Sequence, residues 1–215
     1  MPDYKPFDPL SYDNLGASVA EALIERDPVP MTEIPAFTGE GVYAIYYLGN
    51  FAPYADLTAA NEQGRWLAPI YVGKADPPGG RKGGLPNQLS EAASLRNRLM
   101  KHGRTIESAQ NLDIKHFYCR FLLVNHLWLE LAENMMITRF SPVWNTLIDG
   151  FGNNDPGSGR YGQLVSRWDV LHPGRVWAAR CAPRPETVDT ISREVIDHLR
   201  SRPLRMPDLF DGGGS

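Results

Sequence analysis

The chain has 215 residues, a formal net charge of −3, 42% hydrophobic and 22% charged residues, the proportions of one well-buried globular domain. No apolar run approaches the roughly 20 residues of a membrane span, and the N-terminus MPDYKPFDPL lacks the basic stretch and apolar core of a secretory signal. A soluble, cytoplasmic protein with no membrane partner is therefore expected. Net acidity argues against a nucleic-acid partner, but Arg96, Arg98, Lys101, His102 and Arg104 crowd into 96–104, and a local basic face binds phosphate whatever the total charge. Cys119 and Cys181 have no CxxC spacing, which favours free thiols over a disulfide or a zinc site.

In chain order, Leu15, Val19, Leu23 and Ile24 recur at helical spacing and predict a structural helix ending before Asp27-Pro28. After a Pro-punctuated connector, GVYAIYYL (41–48) reads as a strand. Residues 49–67 mix aromatic, polar and turn residues without a period and read as an insertion before a second strand, PIYVGKA (69–75). The following DPPGGRKGGLPN holds neither a helix nor a central strand. It reads as a loop that carries Arg81 and Lys82, a composition that suits close approach to phosphate as well as plain flexibility.

A helix is predicted from Ser90 as N-cap, through Leu95 and Leu99, to Gly103 as its stop. Arg98 and His102, four apart, share one face of it; the bland alternative is a solvated basic face. DIKHFYCRFLLV (113–124) reads as a third strand, and LWLELAENMMITRF (127–140) as a helix apolar nearly all round and buried on the sheet. Glu133 lies between Leu129 and Ile137 on that helix. A carboxylate among apolar groups needs an arginine, a cap or a metal ion. Pro142 ends the helix, with Asn145 just beyond. A Gly- and Asn-rich loop from 146, the segment WDVLHPGRVWA and a polar helix near 186–200 complete the chain.

Individually these signals are unspecific; their order is specific. Two tyrosine strands, a helix with Arg98, a helix with Glu133 and then Asn145 resemble the GIY-YIG nuclease superfamily, with GVY standing for GIY and YVG for YIG. The match spans 41–147. It departs from the usual pattern in the 28 positions between Tyr43 and Tyr71, which marks inserted segments. Together with IYVGKA, the RxxxHGR pattern at 98–104, WNTLIDGFGN and WDVLHPGR, those insertions resemble the branch that serves as type II restriction endonucleases, in which the members most like this chain cut CCGCGG. The expected architecture is α+β: one domain over 1–215 with a small antiparallel or mixed sheet flanked by helices, a core at 41–147, insertions at 49–67 and 76–89, and a C-terminal extension at 148–215.

The resemblance implies phosphodiester hydrolysis in double-stranded DNA with Mg²⁺, Mn²⁺ substituting, by a homodimer on a palindromic site, in a system that includes a DNA methyltransferase without stable contact. It implies Tyr43 as general base, His102 as a group that positions water, contacts phosphate or takes part in the base function, and Tyr71 bonded to the scissile phosphate or attacking water. A phenol ionised near neutral pH needs its anion favoured by about 4 kcal/mol, for which Lys74, Arg98 and the metal are the candidate cations. Arg98 would stabilise the transition state, Glu133 would be the protein's metal ligand, and Asn145 would anchor the site or the phosphate. Guanine readout favours arginine, so Arg65, Arg81, Lys82, Arg104 and Arg160 are the candidate DNA contacts. Rival readings are a nicking or structure-specific nuclease of the same superfamily, a DNA-binding module with a retired site, and a small-molecule enzyme. Against the last, the chain offers neither GxxxxGK[ST] nor a GxGxxG after a strand.

Overall fold

A strand without a charged or strongly polar residue at any position can be covered on both faces, and GVYAIYY is such a strand: all seven residues of Gly41–Tyr47 are buried. The computed structural model describes residues 11–77, 91–201 and 204–206. Its sheet comprises β1 (Val29–Pro30), β2 (Gly41–Tyr47), β3 (Tyr71–Ala75) and β4 (Phe117–Leu123) in the order β1-β4-β2-β3. Every pairing is antiparallel, so the antiparallel form of the expected sheet is the one realised, and the fold is α+β. β3 lies at an edge.

Period-two alternation divides β2 between two cores. Val42, Ala44 and Tyr46 pack with Ala17, Ala20 and Leu23 of α1 (Tyr12–Ile24) and with Leu129, Ala132, Met136 and Phe140 of α4 (Leu129–Phe140). Tyr43, Ile45 and Tyr47 pack on the other face with Leu95, Leu99 and Ile106 of α3 (Ser94–Ser108). The same cluster takes in Leu57 of α2 (Ala55–Asn61), Val143 and Trp144 of α5 (Val143–Thr146), Trp168 and Leu171 of α6 (Arg167–Leu171), and Ile191, Val195 and Leu199 of α7 (Val188–Arg200). The C-terminal extension thus shares the core that holds Tyr43.

Several elements differ from the sequence reading, each for a packing reason. α3 does not stop at Gly103 but runs to Ser108. Gly103 is buried where the helix passes Ile114, whose Cδ1 would be 3.3 Å from an added Cβ, so this glycine serves close packing and not a cap. The candidate cap Ser90 lies outside the described residues, as do Arg81 and Lys82. The third strand starts at Phe117, after a 3₁₀ turn at Ile114–His116. α4 buries one stripe, Leu129, Ala132, Met136 and Phe140, and not its whole circumference. The insertion at 49–67 is ordered: after the 3₁₀ turn Ala52–Tyr54 it forms α2, and the Asn61 amide donates to the Ala68 (2.8 Å) and Tyr47 (3.3 Å) carbonyls while its oxygen accepts from Ala68 N (2.9 Å). Cys119 is buried and Cys181 partly exposed, both as free thiols. No helix among the described residues is long and apolar enough to cross a membrane.

Candidate active site at an edge strand

The two tyrosine motifs meet as neighbours on adjacent strands: β2 and β3 pair Tyr43 with Gly73 and Gly41 with Ala75. The insertion at 49–67 loops out between them. Both motif glycines have steric reasons. An added Cβ at Gly73 would lie 2.4 Å from Tyr43 Oη and 2.6 Å from its Cζ, because the phenol ring crosses directly over this position. One at Gly41 would lie 2.1 Å from the Leu122 carbonyl oxygen across β4.

Tyr43 and His102 form the centre of the cluster. Both are fully buried, and Tyr43 Oη is 2.6 Å from His102 Nε2. Arg98 Nε donates to the same hydroxyl at 3.4 Å. Tyr71, half-buried, has its ring centroid 6.2 Å from that of Tyr43 and 5.3 Å from that of His102. Burial pushes the Tyr43 phenol well above its usual range, Tyr71 adds to this, and Arg98 opposes it by less. In the free protein Tyr43 is therefore a neutral phenol; of the cations proposed to favour its anion, only Arg98 is within hydrogen-bonding distance. Burial, followed by Arg98 and Lys101, holds the His102 imidazole well below its usual pKa. A neutral imidazole has one donor and one acceptor nitrogen, and the tautomer that carries its proton on Nδ1 accepts a hydrogen bond from the Tyr43 phenol at Nε2. Nδ1 is buried without a hydrogen-bond partner among the described residues.

On the opposite face of β3 the chemistry is anionic. Lys74 ion-pairs with Glu130 of α4 and with Asp76 at 3.4 Å. Glu133, one turn further along α4, is half-buried, and no described residue hydrogen-bonds or ion-pairs with its carboxylate. Burial raises its pKa, with Glu130 and Asp76 adding to that and Lys74 opposing it. Arg98 reaches around the edge strand between the two halves. A cleft of about 550 Å³ is lined by Lys74, Asp76, Ser94, Asn97, Arg98, Lys101 and Glu133. Ser94, Asn97, Arg98 and Lys101 follow helical spacing and form one stripe of α3. Among the described residues there is no group of three or more His, Cys, Asp or Glu side chains that could hold a metal ion; a half-buried carboxylate with no partner, facing an open cleft, fits a cation that brings most of its own ligands as water.

Asn145 acts as a strand. Its Oδ1 accepts from Val72 N and its Nδ2 donates to Val72 O, both at 2.8 Å, so the side chain closes the free edge of β3 between Tyr71 and Gly73. Among the candidate DNA contacts, Arg104 and Arg160 are exposed, Arg104 three residues beyond Lys101 and Arg160 on the 3₁₀ turn Ser158–Arg160. Arg65 is folded onto the Ala59 and Glu62 carbonyls at the end of α2, next to Trp66, which packs on Tyr46 and Tyr118. The structure does not bring it into the cluster.

Sequence reasoning placed Lys101 only in the basic stretch and Phe151 and Gly152 only within WNTLIDGFGN, and gave none of them a role at the site. Lys101 donates to the Gly152 carbonyl at 3.4 Å, and its position three residues after Arg98 was the available signal. Phe151 stacks on His102 with ring centroids 4.5 Å apart and planes 13° apart; nothing local to residue 151 announces that contact.

No curated protein matches the chain at a significant level. A scan against models of protein families matches residues 35–199, well over half of the chain, to the Eco29kI GIY-YIG domain. That span includes both tyrosine motifs, the arginine and glutamate helices, Asn145 and the C-terminal segments that complete the core. The chain belongs to the Eco29kI family of GIY-YIG nuclease domains, which are restriction endonuclease domains that act on DNA.

Proposed function

We propose that the protein is a type II restriction endonuclease that hydrolyses both strands of DNA at a short GC-rich palindrome, with CCGCGG, the site of Eco29kI, as the first candidate. The observation that carries this reading is the joining of the Tyr43–His102 pair to the Glu133 wall of the cleft through Arg98, at the edge of one strand. Hydrolysis needs a base for the attacking water, compensation for negative charge on phosphorus oxygens and relief of charge on the departing 3′ oxygen.

The residues divide these tasks as follows. Arg98 turns from Tyr43 to the scissile phosphate, where its fork matches two phosphate oxygens, and so opens the phenol to the water. Tyr43 Oη takes a proton from that water as its own proton passes to His102 Nε2. This assigns the base to the pair rather than to either ring alone, and removes the need for a phenolate in the free protein. Tyr71 orients the water or the phosphate, and Lys101 and Asn97 hold a neighbouring phosphate along the α3 stripe. Glu133 would hold Mg²⁺, with Mn²⁺ as a substitute, and the ion would offset charge on the phosphate and on the leaving oxygen. A palindromic target makes a two-fold dimer on DNA the matching assembly, working in the cytoplasm beside a methyltransferase that protects the same sequence.

The test is digestion of fully sequenced, unmethylated phage DNA with Mg²⁺ or EDTA, followed by sequencing of the fragment ends. Discrete Mg²⁺-dependent ends sharing one palindrome support the proposal. Ends without a common sequence, or uncut DNA, contradict it.

A further inference from the structure

The buried ion pair between Asp169 and Arg175 is built more elaborately than a fold staple requires. Arg175 Nε and Nη2 each donate to an Asp169 carboxylate oxygen at 2.6 Å, and Ser166 Oγ donates to the same carboxylate at 2.6 Å. The guanidinium lies over Trp168 and Trp177, each ring centroid 4.7 Å away. Its remaining donors all go to one short backbone stretch: the carbonyls of Gly150 at 2.9 Å, Asn153 at 3.3 Å and Phe151 at 3.5 Å. That stretch delivers Phe151 face to face onto His102 and edge-on to Tyr71 at 5.0 Å. It also lays Gly152 so close to the site that an added Cβ would be 3.2 Å from Arg98 Nη2 and 3.7 Å from Tyr71 Oη.

We infer that Arg175 and Asp169 are positioning residues for the reaction: they fix the 150–153 backbone so that Phe151 holds the plane of the His102 imidazole against Tyr43 and keeps water from its Nδ1. Neither lines the cleft described above. The device is specific to arginine, because only a planar fork can bind a carboxylate with two donors and still reach three carbonyls; lysine keeps the charge and loses the geometry. The inference rests on the proposed role of Tyr43 and His102 in hydrolysis. The titratable groups around the imidazole are Tyr43 on β2, Tyr71 on β3, Arg98 and Lys101 on α3, and Arg175 behind Phe151, with Glu133 across the edge strand.

The experiment uses the full chain with Arg175→Lys and, as a variant that leaves the ion pair intact, Phe151→Leu, both assayed well below their unfolding temperatures. Each is expected to lower kcat by roughly tenfold to a hundredfold, the cost of a small misplacement, with KM for DNA unchanged within about twofold. In both, the acid limb of the kcat profile moves to higher pH, because water that reaches the imidazole makes it easier to protonate. NMR titration of the His102 ring, which needs no catalysis, shows the same upward move. A lowered unfolding temperature with unchanged kcat and an unchanged imidazole titration would reduce the pair to a staple of the fold and overturn the inference. If Arg175→Lys does not fold, Phe151→Leu decides alone. If the unaltered protein does not cleave DNA, the proposed function fails, and the imidazole titration still decides the positioning claim.

Discussion

At the scale of single residues, the motif glycine Gly73 is the least forgiving position. A methyl group there meets the Tyr43 phenol at 2.4 Å, so Gly73→Ala must displace the ring or the strand. Overpacking of this kind costs about 1–3 kcal/mol, and displacement of a reacting group costs about a hundredfold in rate. Cleavage kinetics beside thermal unfolding should show a rate loss larger than the stability loss implies, with DNA binding kept; an unaffected rate would mean that the ring does not need its present seat. The sequence shows a glycine inside the second tyrosine strand but not its contact, because the ring above it comes from the neighbouring strand. Lys74 shows the converse. It alternates with Gly73, so period two alone puts it on the face of Val72 and α4, where it meets Glu130. The chemistry suggested by the motif order drew it toward Tyr43 instead. Glu133 was legible: its apolar neighbours on α4 do pack in the core, and its carboxylate is half-buried without an ion pair.

At the scale of elements, the edge strand β3 carries much of the site, and its outer side is completed by one side chain. Asn145→Ala removes both hydrogen bonds to Val72. Leaving a partly buried N–H and C=O without partners costs about 1–3 kcal/mol, and the edge then takes water. Urea unfolding should show a loss of about 2 kcal/mol, and hydrogen exchange should show lost protection at the Val72 amide beyond that at Val42 on β2; equal protection would assign Asn145 no role in the strand. Its place after Pro142 was legible, but its pairing with a residue 73 positions earlier was not. α3 extends to Ser108, five residues past the predicted stop, because Leu95, Leu99 and Ile106 keep burying apolar surface, which outweighs the cost of about 1 kcal/mol for an interior glycine. The insertion at 49–67 hid its helix for a related reason: Asn61, a residue type that favours turns, is used here to join Tyr47 and Ala68.

At the scale of the whole molecule, a second buried tyrosine–histidine pair ties the C-terminal extension to the core. Tyr54 Oη is 2.6 Å from His172 Nε2 and accepts from Trp144 Nε1 at 2.8 Å, while His172 Nδ1 is 3.0 Å from Asn111 Oδ1. Unlike His102, this ring has both nitrogens engaged, which marks it as structural. Burial lowers the His172 pKa from 6.5 to about 3. The unfolded chain therefore binds a proton that the folded one refuses between these values. Stability from this group is complete above pH 6.5 and is lost on acidification, reaching about 4–5 kcal/mol by pH 3. His172→Gln should flatten the decline in urea-unfolding free energy below pH 6.5; an equally steep decline would remove His172 as its cause. The strand β2 and the order of the motifs were legible from one sequence, since both are local patterns, whereas the burial of β2 on both faces was not read there. The closing of the site by Phe151 and Gly152 was not, because it depends on Arg175 and Asp169 meeting them from further along the chain. The central claim is that Tyr43 on one face of the edge strand and Glu133 on the other serve one hydrolysis. Its most direct test compares Tyr43→Phe and Glu133→Ala with the unaltered protein, measuring DNA affinity in Ca²⁺ and cleavage of the same DNA in Mg²⁺. Both variants are expected to bind within about tenfold of the unaltered affinity and to lose cleavage by at least about a hundredfold; cleavage at the full rate by either one contradicts the account.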